Sequence, residues 1–161
     1  MRNRIAIALA GALLGVAALG GVVQATPSAG LTSTTIATGR LDEVHLAVKT
    51  GRWKVELETK GQSDVTVVEN RVAPGGTFGW HSHPGPSIIV VKSGTITFYD
   101  GDDPQCAPEV VTAGKAVIDN GNHVHIGRNE GTVDVVVIVT RLLPAGAAPR
   151  VDQPDPGNCG F

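Results

Sequence analysis

Four of the five histidines in this chain fall into two H-x-H pairs, His81/His83 and His123/His125, and only His45 stands apart. Residues two apart on a β-strand point to the same face, so each pair sets two imidazoles side by side. Neutral imidazole is the commonest metal-ligating side chain, and two such rings on one strand make half of a metal site. The other chemistry-bearing signatures are missing: the sequence has no Ser-His-Asp order, no phosphate-binding loop and no helical zinc motif.

The histidine pairs work only if strands hold them, and the sequence is strand-like from Leu31 onward. Apolar residues never keep three-and-four spacing, and Gly or Pro interrupts nearly every window of a dozen residues. Short β-rich runs bounded by turn residues predict strands at 33–37, 44–49, 53–59, 64–72, 78–83, 87–92, 95–100, 109–112, 116–119, 123–129 and 133–142. Turns such as Lys92-Ser93-Gly94 and Asn129-Glu130-Gly131 argue for an all-β sandwich or barrel of antiparallel strands. VDVVVIVTRLL is almost continuously apolar, which fits a central strand covered on both faces. Thr26 to Gly30 reads as a patternless linker, and 144–161 as an extended tail rich in Pro, Gly, Ala and Asp.

The stretch GGTFGWHSHPGPSIIVVKSG resembles the first cupin motif, G-x5-H-x-H-x3,4-E-x6-G. Gly75, His81, His83 and Gly94 fall at its fixed positions, and Ser87 stands where the family usually has Glu. The second motif, G-x5-P-x-G-x2-H-x3-N, is matched by Gly114, His125 and Asn129, with Asn120 and Asn122 in place of its Pro and Gly. The resemblance covers roughly residues 65–143 and is specific for fold, much less so for reaction. It implies a double-stranded β-helix (cupin or jelly-roll barrel) over 26–143, with core motifs at 75–129 and a metal held by His81, His83 and His125.

Three neutral nitrogens with open positions suit Zn, Fe, Cu, Ni or Mn, so one divalent transition metal is the expected cofactor. Ser87 removes a hard oxygen donor and should turn the site away from Mn. Its strand phase groups it with Ile89 and Val91, facing an apolar barrel interior in which no carboxylate base is evident. His123 shares a strand face with His125 and is a further site candidate, as a fourth ligand or a proton-transfer group, although the Asn120-Gly121-Asn122 loop frees its geometry. Trp80 lies on the face opposite His81 and reads as packing. Tyr99 and Glu69 could supply acid or base chemistry, but a solvated strand end explains either equally well.

Composition bounds the rest. The chain has 161 residues, 42% hydrophobic and 17% charged, which suggests one globular domain. A net charge of −2 without any basic run argues against nucleic acid as a partner. Arg2 and Arg4, an apolar stretch to Val23 and the small residue Ala25 have the layout of a secretory signal over 1–25. Cleavage after Ala25 would leave no stable membrane insertion; the competing reading of the apolar run is an uncleaved membrane anchor. Export in turn makes a Cys106 to Cys159 disulfide the default for two cysteines outside strand-like runs. By the chain-entropy account, closing a loop of about 54 residues stabilises by about 4 kcal/mol before strain.

The sequence therefore predicts an exported, metal-binding cupin, an oxygenase-like or lyase/isomerase-like enzyme on a small molecule. A non-enzymatic cupin that binds a small ligand or a metal is the alternative. A small-molecule ligand or substrate is the expected partner, and a homodimer is compatible with the reading.

Overall fold

The structure, a computed structural model, describes residues 24–161. The expected leader lies outside the described residues except for Gln24 and Ala25. Among the described residues there is no α-helix, and so no helix long and apolar enough to cross a membrane.

The described residues form twelve strands: β1 (Ala29–Leu41), β2 (His45–Thr50), β3 (Trp53–Glu58), β4 (Ser63–Thr77), β5 (His81–Ser82), β6 (Ser87–Ser93), β7 (Thr95–Asp100), β8 (Glu109–Thr112), β9 (Ala116–Asp119), β10 (His125–Arg128), β11 (Val135–Pro144) and β12 (Val151–Asp152). One layer runs β1, β4, β11, β6, β9, and the other β12, β5, β10, β7, β8, with every ladder antiparallel. The layers join where Thr77 at the end of β4 pairs with Arg128 of β10. The result is a nearly closed all-β barrel, the double-stranded β-helix expected from the motifs.

Period-two burial builds the interior. On β6, Ser87, Ile89 and Val91 are buried while Ile88 and Val90 face outward. Ile89 and Val91 form one core cluster with Val68 and Val72 of β4, Ile96 of β7, Val111 of β8, Val135, Val137 and Val139 of β11 and Phe78, the β-branched packing that a pleated surface favours. On β11, Val135 to Val137 are buried on both faces, and beyond them only Val139 and Leu143 are buried. The central-strand expectation thus holds for its first half.

Three local features differ from the sequence reading. β1 is far longer than 33–37 because the whole length of β4 offers it an edge, even though its Thr-rich residues are exposed. Thr26 to Gly30 is not a patternless linker: the Thr26 N–H donates to the Gln153 carbonyl at 3.1 Å, its Oγ1 accepts from the Trp80 N–H at 2.7 Å, and Ala29 opens β1. The tail is extended, but it carries β12, which pairs with β5 as Val151 to Ser82 and Asp152 to His81. Cys106 and Cys159 are bridged with Cα atoms 5.3 Å apart, and Phe161 stacks on Trp80. The tail therefore lies across the end of the barrel where the histidines are.

Candidate metal centre

His81 on β5 and His125 on β10 are register partners, which brings their rings to 4.4 Å between centroids. His83, just past β5, sits 4.8 Å from the first and 5.4 Å from the second. All three are buried, and one ligand atom from each lies within 4.8 Å of the others. The geometry thus gathers the three histidines that the motif resemblance singled out.

Each ring has its Nδ1 turned to a backbone carbonyl: His81 to Gly79 at 2.8 Å, His83 to Pro149 at 2.6 Å, and His125, more weakly, to His123 at 3.4 Å. A carbonyl only accepts, so Nδ1 carries the proton and Nε2 is left as a lone pair. Burial pushes the His81 imidazole down to about 2 and that of His83 to about 4, and holds His125 below its ordinary value. For the last two, burial outweighs the nearby Asp119 carboxylate, which pulls the other way. The rings are neutral, the state a metal needs.

Two glycines make this possible. Gly79 has φ +70°, and a Cβ there would stand 2.3 Å from the Thr26 carbonyl oxygen, so no other residue could present its carbonyl to His81 in this way. Gly121 has φ +75°, and a Cβ would meet the Gly85 carbonyl at 2.6 Å. Its N–H donates to Oδ1 of Asp119 at 2.8 Å. Asn122, at the motif's usual glycine, adopts φ +59°, a left-handed conformation that Asn tolerates better than most side chains.

Asp119 is the site residue that the sequence reading missed. The expected absence of a carboxylate in the pocket is corrected: Asp119 is buried, with Oδ2 3.8 Å from His83 Nε2 and 3.9 Å from His125 Nε2. Among the described residues that oxygen has no hydrogen-bond partner. Asp119 of β9 pairs directly with Ser87 of β6, which pairs in turn with Arg141 of β11. Ser87 is almost fully buried with an unpartnered Oγ, and Nε of Arg141 is buried without a partner as well. A signal was present in AVID: Val117 and Asp119 share a strand phase, so an inward Val predicts an inward Asp.

The donor set passes a test of fit. One ring nitrogen from each histidine lies within 4.8 Å of the others and Asp119 Oδ2 stands beside those of His83 and His125; Ser87 Oγ and the Arg141 guanidinium border the hole without pairing to these atoms, so its centre is electron-rich and suited to a cation. His81, His83, Ser87, Ile89, Phe98, His125 and Arg141 help to line an inner cavity of about 20 Å³, room for about one water-sized group. A wider cavity of about 120 Å³ opens beside Asp119, His123 and His125, with Ile89, Phe98, Tyr99 and Ile118 in its wall.

The remaining candidates divide. His123 is half-buried, with its ring 5.0 Å from that of His125 in a second group with Asp119 and not with His81 and His83; its Nδ1 faces the Gly121 carbonyl at 3.3 Å, and its Nε2 is 4.0 Å from Asp100 Oδ2. Tyr99 donates to Glu130 at 2.8 Å, and burial raises its phenol above the ordinary value. Glu69 is an outer-surface partner of Lys92. Trp80 packs with Ile126 and Cys159, as its strand phase implied. Asn129 is structural: its Nδ2 donates to the Val72 and Val133 carbonyls, both at 2.8 Å. His45 lies on the exposed β2–β3 hairpin beside Glu43.

Fold and site together define a double-stranded β-helix protein with a three-histidine group able to hold a metal. The cupin domain model matches residues 68–141, and the chain belongs to the cupin superfamily. Among solved structures it is similar to a conserved Klebsiella pneumoniae protein with a double-stranded β-helix domain, 22% identical, covering 70% of this chain and 80% of that one at a TM-score of 0.47. It is similar to a polyketide cyclase from Streptomyces resistomycificus, 20% identical over 57% of this chain and 64% of that one, TM-score 0.47. A DMSP lyase from Ruegeria pomeroyi is 18% identical, over 55% of this chain and 43% of that one, TM-score 0.48. No curated protein sequence matches the chain.

Proposed function

We propose that this protein is an exported, metal-dependent cupin that transforms a small molecule, with His81, His83 and His125 as metal ligands. The observation that carries the reading is the convergence of three buried Nε2 lone pairs whose Nδ1 atoms all face carbonyls. A divalent ion bound there supplies Lewis-acid character. Ile89 and Phe98 keep bulk water from the inner cavity, and the wider cavity admits the substrate. His123, half-exposed in that cavity and near Asp100, is positioned to take or give a proton. That favours lyase or isomerase chemistry over the oxygenase type. Export is supported by the Cys106–Cys159 bridge, which persists in an oxidising compartment.

The test is metal analysis of the protein as isolated, without added metal, followed by assay of the loaded protein against a panel of small molecules. About one equivalent of a transition metal and turnover that is lost in His123→Gln are the expected results; absence of metal binding even on reconstitution overturns the reading. A non-enzymatic binder is the second reading, favoured by the tightness of the inner cavity. It predicts binding without turnover.

A further inference from the structure

We propose that Asp119 is a fourth metal ligand, and that it supplies from β9 the carboxylate that position 87 on β6 lacks. The proposal rests on the three-histidine reading of the site. Ser87 and Asp119 are direct partners in the β6–β9 ladder, and in an antiparallel pair such residues point to the same face of the sheet, with Cβ atoms about 5 Å apart. A carboxylate on either strand can therefore reach one point inside the barrel.

The two oxygens of Asp119 have different surroundings. Oδ1 accepts the Gly121 N–H at 2.8 Å, which fixes the carboxylate's rotation. Oδ2 is buried, unpartnered, and faces Nε2 of His83 at 3.8 Å and of His125 at 3.9 Å. Those nitrogens have no proton to offer, since Nδ1 holds it in each ring. Lone pair thus faces lone pair, an arrangement that costs free energy unless something positive lies between; the nearby Arg141 guanidinium acts on Asp119 only at longer range, since its buried Nε has no partner. Two donors about 2.1 Å from one ion stand about 3.0 Å apart at a right angle and about 3.4 Å at a tetrahedral angle. The observed separations are too long for hydrogen bonds and close by only about half an ångström around an ion.

The competing arrangement, an ion held by Asp119, His123 and His125, is weaker. The His123 ring is half-exposed, and its Nδ1 lies 3.5 Å from Oδ1, the oxygen already engaged by Gly121. With Asp119 as ligand the set becomes three neutral nitrogens and one hard anionic oxygen. That restores competence for Mn, from which the serine at 87 alone would have turned the site, and halves the formal charge of a bound divalent ion.

Metal-free protein titrated separately with Mn(II) and Zn(II) tests the proposal in wild type, Asp119→Asn, and the double variant Ser87→Glu/Asp119→Ser. Asn keeps an oxygen for the Gly121 N–H, so the loop is preserved. Its amide can donate to a histidine Nε2, so the metal-free Asp119→Asn protein should melt no lower than wild type. Its Kd for Mn should rise at least tenfold, and by more than its Kd for Zn. The double variant, with the carboxylate moved back across the strand pair, should recover most of the Mn affinity. If wild type binds both metals and His83→Ala loses them while Asp119→Asn leaves both affinities unchanged, this proposal falls and the three-histidine site stands. If wild type binds neither metal, both fall. A lower melting temperature in Asp119→Asn with an unchanged Mn/Zn ratio would make Asp119 a structural residue and overturn the assignment.

Discussion

The carbonyl of Pro149 accepts the Nδ1–H of His83 across 2.6 Å of space and 66 residues of sequence. A candidate ligand is thereby oriented by the tail and not by the barrel alone. Groups that orient a ligating histidine typically matter 10 to 100-fold in metal affinity. Deleting residues 149–161 should therefore weaken metal binding about tenfold or more, as read by competition with a chromogenic chelator, while the barrel keeps its β-type circular dichroism. Unchanged affinity would show that His83 is held by β5 alone.

The ligands themselves should be less forgiving. His81→Ala, His83→Ala and His125→Ala are each expected to abolish stoichiometric binding, whereas His123→Ala only weakens it. Metal content per protein chain after dialysis checks this. Full occupancy in the His125 variant would break the assignment of the second motif.

Burial holds His81 at about 2 and His83 at about 4 in the folded, metal-free protein, against about 6.5 in an unfolded chain. The unfolded state then binds protons that the folded state refuses, so folding stability is fully present above about pH 6.5 and is lost as pH falls. The loss continues through about 4 for His83 and towards about 2 for His81. Thermal melts of the metal-free protein should fall steadily from pH 7 to pH 5, a range above the ordinary carboxylate titration. Melting temperatures that stay flat over that range would contradict burial of these rings in the neutral form.

Asn129 predicts a change in stability without a change in metal preference. Its amide satisfies the buried Val72 carbonyl and the part-buried Val133 carbonyl, and accepts from the Gly131 N–H at 3.0 Å. Asn129→Ala leaves those groups unpaired, at about 1–3 kcal/mol for each one that stays buried without water. Denaturant unfolding should register a loss of about 2 kcal/mol or more, with the Mn/Zn ratio as in wild type. A loss below about 0.5 kcal/mol would mean that water replaces the amide.

Local pattern carried much of the fold. The strands at 95–100, 109–112 and 116–119 end in the structure where turn residues and alternation place them. β1 was under-read because a Thr-rich strand with both faces exposed has no burial period; its length is set by its partner β4. β12 is two residues long and exists because β5 offers an edge, something no two-residue pattern encodes. The three histidines were legible because metal chemistry restricts both residue type and spacing. Asp119 was not: a motif records a carboxylate at one place in the sequence, while a sheet sets neighbours by register, so position 119 can stand where position 87 does.

The tail's path also imposes an order in time. Pro149, Gln153 and Cys159 are synthesised after β1 to β11, so during translation the barrel strands leave the ribosome while His83 still lacks its carbonyl partner. The ring gains its Pro149 partner only once the tail has docked. A metal captured before that moment would sit in a looser site than one captured afterwards. The stage at which the tail docks would thus bear on which ion the finished protein keeps.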